Sequence, residues 1–209
     1  MSEIIIRDMP KDSMLRIANA RVYDLEESIA ASKYPMQTEP DPSKTELTET
    51  AVKLAQCKPG TGHDNWLCGV LVSFDISMSA KMMVEWERYS FQSPVSSNST
   101  MHRIMKFDID STYCKYVDPR ILAVMKELVC KYNDEKDDEK DDDKAHEDYL
   151  RVLYSNPAGF TYRLRVTTNY RQIKTMRLQR RSHLLPEWQE FCDWSEQYLP
   201  HSELIMGAV

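Results

Sequence analysis

The segment FTYRLRVTTNYRQIKTMRLQRRSH, residues 160–183, contains a strand pattern followed directly by a helix pattern. Positions 160, 162, 164 and 166 are apolar or aromatic, whereas positions 161, 163, 165 and 167 are polar. Such alternation predicts a strand with one buried face. From about Asn169 to His183 the spacing changes to that of a helix. We therefore expect a sheet that carries helices on its apolar face.

A second alternating stretch, Cys68 to Ser77, predicts another strand with a strongly apolar face. Ser79 to Phe91 then reads as a helix whose large apolar side chains gather on one side. Elsewhere the pattern predicts strands at 3–8 and 103–109, helices at 13–33, 46–57, 119–132 and 187–199, and an irregular polar segment at 92–102. Helices and strands mix without a regular βαβ alternation, which favours an α+β fold with a mixed or antiparallel sheet. The length of 209 residues suits a single domain spanning 1–209.

Composition narrows the class of protein. A hydrophobic content of 42% supports a real core, and a net charge of −6 disfavours binding to a nucleic acid polymer. No run approaches the ~20 apolar residues that a membrane span needs. The five cysteines include no CxxC pair, which argues against a structural zinc site and favours a reduced, cytoplasmic compartment. The N-terminal residues do not show the pattern of a secretory signal.

An acidic run, NDEKDDEKDDDKAHED, occupies residues 133–148. We interpret it as a solvated helix end or a mobile, dispensable insertion, because its charge is too dense to pack into a core. Hard cations need turns that aim oxygens inward, and this run contains no glycine to make one. No metal site is therefore predicted.

The helix after Thr168 places one charged residue on an apolar stripe. At ~100° per residue, Arg180 falls within about 60° of Ile173 and Met176, whereas Tyr170, Lys174, Arg177 and Arg181 lie on a separate basic flank. An inward guanidinium is costly without an anion, and its planar fork suits phosphate or carboxylate. Two interpretations stay open: a ligand anion, or a structural Arg–carboxylate pair or snorkelling side chain.

Two further segments hold candidate site residues. GHDNWL, residues 62–67, precedes the strand at Cys68, where a loop histidine either faces a cleft or is simply solvated. WERYSFQSPVSSNSTMHR, residues 86–103, is rich in hydroxyls and amides and either cradles a phosphate or flavin or forms an ordinary connection.

These segments, in this order, resemble the flavin-dependent thymidylate synthase family. The family has a GHxxxxEH segment before a strand, an RHRxxSxNxxSxRY loop after a helix, and a C-terminal N-x-R…R…H-x-x-W helix. The counterparts here are residues 62–69, 86–103 and 167–188, and residues 18–22 (ANARV) resemble the family's AARVS. Four residues depart from the pattern: Cys68-Gly69 replaces a Glu-His pair, and Tyr89 and Ser90 replace the central histidine and second arginine.

The resemblance implies a role for each matching residue. Arg180 would bind deoxyuridylate and polarise its pyrimidine as the catalytic group. Further substrate contacts would come from Ser99 and Arg103. Residues implied to hold the cofactors are His63, Arg88, Asn169, Arg171 and His183. FAD would carry the redox chemistry, with methylene-tetrahydrofolate and NADPH as cosubstrates.

The activity implied is one-carbon transfer to C5 of a pyrimidine deoxynucleotide, by a methyltransferase or hydroxymethyltransferase that forms thymidylate or a 5-hydroxymethyl pyrimidine nucleotide. Because the family builds its sites between subunits, we also expect a homotetramer. The alternative is a non-catalytic or reassigned member that binds a nucleotide. A scaffold role would rest on the acidic run alone.

Overall fold

The computed structural model describes residues 2–10, 12–137 and 142–207, with side chains of 135–137 and 142 left undescribed. A five-stranded antiparallel sheet forms its centre, in the order β1-β2-β3-β5-β4. The strands are β1 Glu3–Ile5, β2 Arg16–Tyr23, β3 Leu71–Ser79, β4 Gln92–Ser97 and β5 Thr161–Asn169. The expected α+β class and antiparallel sheet are confirmed.

Helices connect the strands and pack against the sheet. They are α1 Leu25–Ala31, α2 Glu49–Ala55, α3 Ala80–Trp86, α4 Thr100–Arg103, α5 Ile109–Thr112, α6 Pro119–Asp137, α7 Asp142–Ser155, α8 Tyr170–Arg180 and α9 Pro186–Tyr198. Short 3₁₀ turns occupy Tyr34–Met36, Asn65–Cys68, Ile104–Lys106 and Ser202–Ile205. None of the helices in the described ranges is long and apolar enough to cross a membrane.

The two predicted central strands pair with each other, as their alternating patterns require. Phe74 of β3 lies opposite Val166 of β5, and both are fully buried. On this face an aromatic cluster joins Phe74 to α3 and α9. Trp86 and Trp188 stack with ring centroids 5.6 Å apart, and Phe191 meets Trp86 edge to face at 5.1 Å. This cluster fixes α3 and α9 against the sheet, and the candidate site depends on that arrangement.

The helix predicted over residues 13–33 is wrong. The structure has β2 there, followed by the shorter α1. Asn19 has a positive φ of 51° and forms a bulge between β2 and β3, so one extra residue enters the strand. Buried positions therefore run Leu15, Ile17, then Ala20 and Val22. The spacing of three across the bulge resembles helical spacing, which explains the error.

Two other predictions need correction. Residues 92–102, expected to be irregular, contain the edge strand β4, whose exposed polar faces give no alternation signal. Residues 103–109, expected to be a strand, form instead the end of α4 and a 3₁₀ turn. Buried Ile104 packs with Met125 and Val152 of a second, smaller core, which gives this segment a partner other than the sheet.

Helices α6 and α7 include most of the acidic run. Residues 133–137 end α6 and residues 142–148 begin α7, while 138–141 lie outside the described residues. Asp148, the last residue of the run, is buried and accepts bonds from Lys131 at 2.9 Å and Arg151 at 3.1 Å. Among the described residues, no cluster of metal-ligating side chains was found.

Candidate functional site

A cleft of about 450 Å³ opens where α8 leaves the sheet. Its walls come from the turn before β3, the segment after α3, and the first three turns of α8. The side chains that line it are Pro59, Cys68, Arg88, Tyr89, Ser90, Phe91, Asn169, Arg171, Gln172, Thr175, Gln179 and Arg180. Three guanidinium groups and several amides thus share one concave surface, which suits an anionic or strongly polar ligand.

Asn169 fixes the start of α8 at the cleft. Its Oδ1 accepts the backbone N–H of Gln172 at 2.9 Å, which caps the helix. The Tyr170 N–H donates to the Val70 carbonyl at 3.0 Å, which holds the first turn beside the start of β3. These bonds carry Arg171 to the same wall as Cys68, whose Sγ lies 3.9 Å from Nη1 of Arg171.

A buried carboxylate anchors Arg171. Asp64 Oδ1 accepts Nε of Arg171 at 3.1 Å, and Asp64 Oδ2 accepts Nζ of Lys174 at 2.8 Å. Lys174 is fully buried and also donates to the carbonyls of Ala55 and Cys57, each at 2.6 Å. Sequence analysis missed Asp64, although it directly follows His63 in the quoted segment. His63 itself is exposed and does not line the cleft.

Arg180 points inward, as the helical phase predicts, and meets an acidic residue of this chain. Its Nη1 lies 3.1 Å from Glu85 Oε2, and its Nε donates to the Tyr89 hydroxyl at 2.9 Å. The guanidinium carbon also lies 5.1 Å from the Trp188 ring centre. Of the two interpretations left open by the sequence, the Arg–carboxylate pair is therefore present. Arg180 nevertheless still lines the cleft.

Burial raises the pKa of the Tyr89 hydroxyl above its ordinary value of 10.0, against the opposing effect of Arg180. The phenol therefore keeps its proton at neutral pH. It donates that proton to Oε1 of Gln179, at 3.1 Å, while it accepts Nε of Arg180. Tyr89 thus links the last turn of α8 to the segment that follows α3.

The four residues predicted to form a basic flank of α8 have different environments in the structure. Tyr170 and Lys174 are fully buried, because the 3₁₀ turn Ser202–Ile205 and the end of α2 cover that side of the helix. Arg177 pairs with Glu196 at 2.6 Å, and Arg181 pairs with Asp193 at 2.5 Å. These arginines face α9 and not the cleft.

Arg88 lies at the mouth of the cleft and is exposed. The following backbone is fixed: Phe91 N–H donates to Gln172 Oε1 at 3.2 Å, and its carbonyl accepts Thr168 Oγ1 at 2.9 Å. Within the described ranges, no carboxylate pairs with Arg88. Its guanidinium therefore differs from those of Arg171 and Arg180, which both have carboxylate partners.

The other expected site residues lie away from the cleft lining. His183 Nε2 contacts Glu85 Oε2 at 3.2 Å, on the same carboxylate oxygen as Arg180. Ser99 precedes α4 at its N-cap position, and Arg103 ends that helix as an exposed side chain. The fold brings together four of the eight expected residues: Arg88, Asn169, Arg171 and Arg180.

Glu85 is the second site residue that sequence analysis missed. It lies on α3 beside buried Trp86 and three residues after buried Met82, so part of its helix face is apolar. A carboxylate next to an apolar stripe is a signal that a cation faces it, just as Arg180 on its own stripe is.

Comparison with solved structures identifies the fold. A flavin-dependent thymidylate synthase, ThyX, from Helicobacter pylori, described as complexed with FAD and dUMP, matches with a TM-score of 0.65 and 14% identity over 88% of this chain and 95% of that chain. A second structure of that enzyme with FAD and dUMP matches with a TM-score of 0.62 and 14% identity, over 88% of this chain and 92% of that one. No protein-family model and no curated protein matches the sequence. The resemblance inferred from the motifs is confirmed as a likeness of fold.

Proposed function

We propose that this chain is an enzyme of the flavin-dependent thymidylate synthase type, which transfers one carbon to C5 of a pyrimidine deoxynucleotide. The product would be thymidylate or a 5-hydroxymethyl pyrimidine nucleotide. One observation carries the proposal: the cleft joins Arg88, Asn169, Arg171 and Arg180, four residues of the family motifs, on a fold whose solved neighbours hold FAD and dUMP.

The residues of the cleft fit a flavin nucleotide in chemistry and, in part, in size. Guanidinium groups suit phosphates and ring carbonyls, and the Asn169 amide adds both donors and an acceptor. A volume of about 450 Å³ lies in the range of small-molecule sites but is small for a whole dinucleotide plus a substrate. We therefore propose that a homotetramer completes the site, with Ser99 and Arg103 reaching the substrate of another subunit.

When bound, FAD would supply the redox chemistry, with methylene-tetrahydrofolate as carbon donor and NADPH as reductant. The work of the chain itself is positioning and polarisation. Arg180 donates N–H groups to a pyrimidine carbonyl and stabilises negative charge that develops on the ring. Asn169 and Arg171 hold the flavin, and Arg88 contacts phosphate at the mouth. His63 and His183 complete the cofactor-binding set of this proposal, which also assigns the enzyme to the cytoplasm.

The alternative is a family member that binds a nucleotide without catalysis. Two observations favour it: Tyr89 and Ser90 replace the central motif residues, and Glu85 pairs with the proposed catalytic arginine. Flavin absorbance separates the two hypotheses. A yellow purified protein, or one that turns deoxyuridylate over after FAD is added, supports the enzyme. A protein that binds deoxyuridylate but refuses FAD supports the alternative.

The residue-level test compares two arginines of α8 with similar burial. Arg180 is 17% exposed and lines the cleft, whereas Arg177 is 15% exposed and pairs with Glu196 on the other side. Arg180→Lys should weaken deoxyuridylate binding by about 2 kcal/mol, roughly thirtyfold, because lysine cannot copy the fork of a guanidinium. Arg177→Lys and Arg181→Lys should bind as the unaltered protein does. Equal losses in the Arg177 and Arg180 variants, measured by calorimetry, would remove Arg180 from the site.

The tetramer is tested separately by light scattering at micromolar concentration. A mass of four chains supports a site shared between subunits. A monomer that nevertheless binds FAD would show that one chain suffices, and Ser99 and Arg103 would lose their proposed roles.

A further inference from the structure

One carboxylate oxygen of Glu85 contacts three nitrogen atoms behind the cleft. Glu85 Oε2 lies 3.1 Å from Nη1 of Arg180 and 3.2 Å from Nε2 of His183, and it accepts the indole N–H of Trp188 at 3.1 Å. The Glu85 side chain is only 13% exposed, so water screens these contacts poorly. Lys81 Nζ is 4.0 Å from the other oxygen, at the exposed edge. The position of the carboxylate is thus fixed from several sides.

The three arginines of the cleft differ in whether a carboxylate of the chain lies beside their positive charge. Arg180 faces Glu85 directly, and Arg171 faces buried Asp64. Arg88 is exposed and has no carboxylate partner within the described parts of the chain. Asp64 also pairs with the buried Lys174 ammonium, so it balances Arg171 only in part. The charge of Arg180 is therefore the most fully balanced of the three, and the charge of Arg88, at the mouth, is the least balanced.

We propose that Glu85 determines specificity by making Arg180 a donor to uncharged acceptors and a poor site for phosphate. The inference rests on the proposed function, in which Arg180 faces the pyrimidine. A phosphate in contact with Arg180 would lie within a few ångströms of the Glu85 carboxylate, and like charges at that range in a poorly screened site repel. A ring carbonyl carries no net charge and keeps its hydrogen bond.

The consequence is a direction for the nucleotide in the cleft. Its base lies at the inner wall with Arg180, and its phosphate lies toward Arg88. Tyr89 supports this orientation, because its hydroxyl accepts the hydrogen bond from Arg180 Nε. The terminal N–H groups that do not face Glu85 are then left for the ligand.

Glu85→Gln tests the inference because it removes the charge and keeps an oxygen for the Trp188 indole. The control is Glu196→Gln, whose carboxylate is 17% exposed and pairs with Arg177 and Arg181 away from the cleft. The probes are inorganic phosphate, deoxyuridine and deoxyuridylate, titrated by calorimetry at constant ionic strength. We expect Glu85→Gln to raise phosphate affinity about tenfold, the scale of one removed like-charge contact, and to change deoxyuridine affinity less than about threefold. The Glu196 variant should change neither.

Unchanged phosphate affinity in a folded Glu85→Gln protein would overturn the inference, even if deoxyuridylate and FAD bind as proposed. Conversely, a rise in phosphate affinity supports it even if FAD and deoxynucleotides fail to bind, an outcome that refutes only the proposed function. If Glu85→Gln does not fold, Arg180→Gln gives the answer. The inference requires that variant to lose deoxyuridine affinity while its phosphate affinity matches that of the unaltered protein, and a parallel loss of both would overturn it.

Discussion

Replacing Asp64 by asparagine should destabilise the protein more than any comparable surface change. Among the residues that the structure describes, the Asp64 carboxylate is the only charged partner of the Lys174 ammonium, which is 0% exposed. Asparagine has nearly the same shape but no charge, so the buried ammonium would have only neutral oxygens as partners, among them the carbonyls of Ala55 and Cys57. Removing one partner of a buried pair costs about 3–5 kcal/mol, because the remaining charge keeps its desolvation penalty.

For a domain of this size each kcal/mol lowers the melting temperature by about 2–4 °C, so Asp64→Asn should lower it by roughly 6–20 °C. The matched control is Asp193→Asn. Asp193 also pairs with an arginine, Arg181 directly after α8, but its side chain is 49% exposed and that of Arg181 is 45% exposed. Exposed pairs contribute about 0–1 kcal/mol, so this variant should lose a few degrees at most.

Calorimetric or circular-dichroism melts of the two variants, together with Lys174→Met and the Asp64→Asn/Lys174→Met double variant, complete the test. The double variant removes both charges, so it should recover part of the loss seen in Asp64→Asn, and the cycle should show coupling above about 1 kcal/mol. The stabilising role of the ion pair is refuted if Asp64→Asn and Asp193→Asn have the same melting temperature. It is also refuted if the stability losses of Asp64→Asn and Lys174→Met add up to that of the double variant, because the buried ion pair then contributes no coupling energy.

Three further outcomes follow from single contacts. Replacing residues 133–147 by a Gly/Ser linker should change the melting temperature by less than about 5 °C, whereas extending the replacement through Asp148 should cost more, since Asp148 is buried with Lys131 and Arg151. Burial raises the pKa of Glu187 above its ordinary 4.5, so folding favours its protonated form. In urea unfolding, the protein should therefore gain stability relative to Glu187→Gln as the pH falls from neutral toward 4.5, and a constant difference would contradict this. Tyr170→Phe should cost about 1–3 kcal/mol in the same assay, because the Tyr170 hydroxyl donates to the Pro200 carbonyl at 2.6 Å in a buried site; a change below ~0.5 kcal/mol would show that water replaces it.

The sequence pattern predicts those strands that have one buried, apolar face and one solvated, polar face. Strands β3 and β5 have one buried and one solvated face, so their alternation is visible, and they form the centre of the sheet. Strand β2 is hidden by the bulge at Asn19, whose left-handed conformation has no signature in the hydrophobic pattern. Strand β4 is hidden because nearly every side chain on it is exposed, so pairing with β5 alone defines it. Backbone pairing leaves little trace in side-chain chemistry.

At the candidate site, the helical phase predicts which way a side chain of α8 points but does not identify the residue that it contacts. The stripe with Ile173 and Met176 predicts that Arg180 faces inward, which the structure confirms. It cannot identify Glu85, which lies 95 positions earlier in the sequence and reaches Arg180 only after α3 and α9 pack on the sheet. For Lys174, the helical phase predicts the wrong environment. Phase assigns it to a polar flank, but a second layer of chain covers that flank and Asp64 meets the ammonium there.

Tyr89, one of the residues that depart from the family motif, contacts the same guanidinium group as Glu85, that of Arg180. Tyr89 stands at the motif's histidine position, and its hydroxyl accepts a hydrogen bond from Arg180 Nε while it donates one to Gln179. Glu85 balances the same guanidinium from the other side. The buried indole N–H groups of Trp66 and Trp194, which have no hydrogen-bond partner within the described residues, do not line the cleft. Each inward-facing arginine already contacts a carboxylate of the chain: Arg180 pairs with Glu85, and Arg171 shares Asp64 with Lys174. A nucleotide bound as proposed would therefore compete with these bonds or bind beside them, and in our inference Glu85 would favour its base over its phosphate at Arg180.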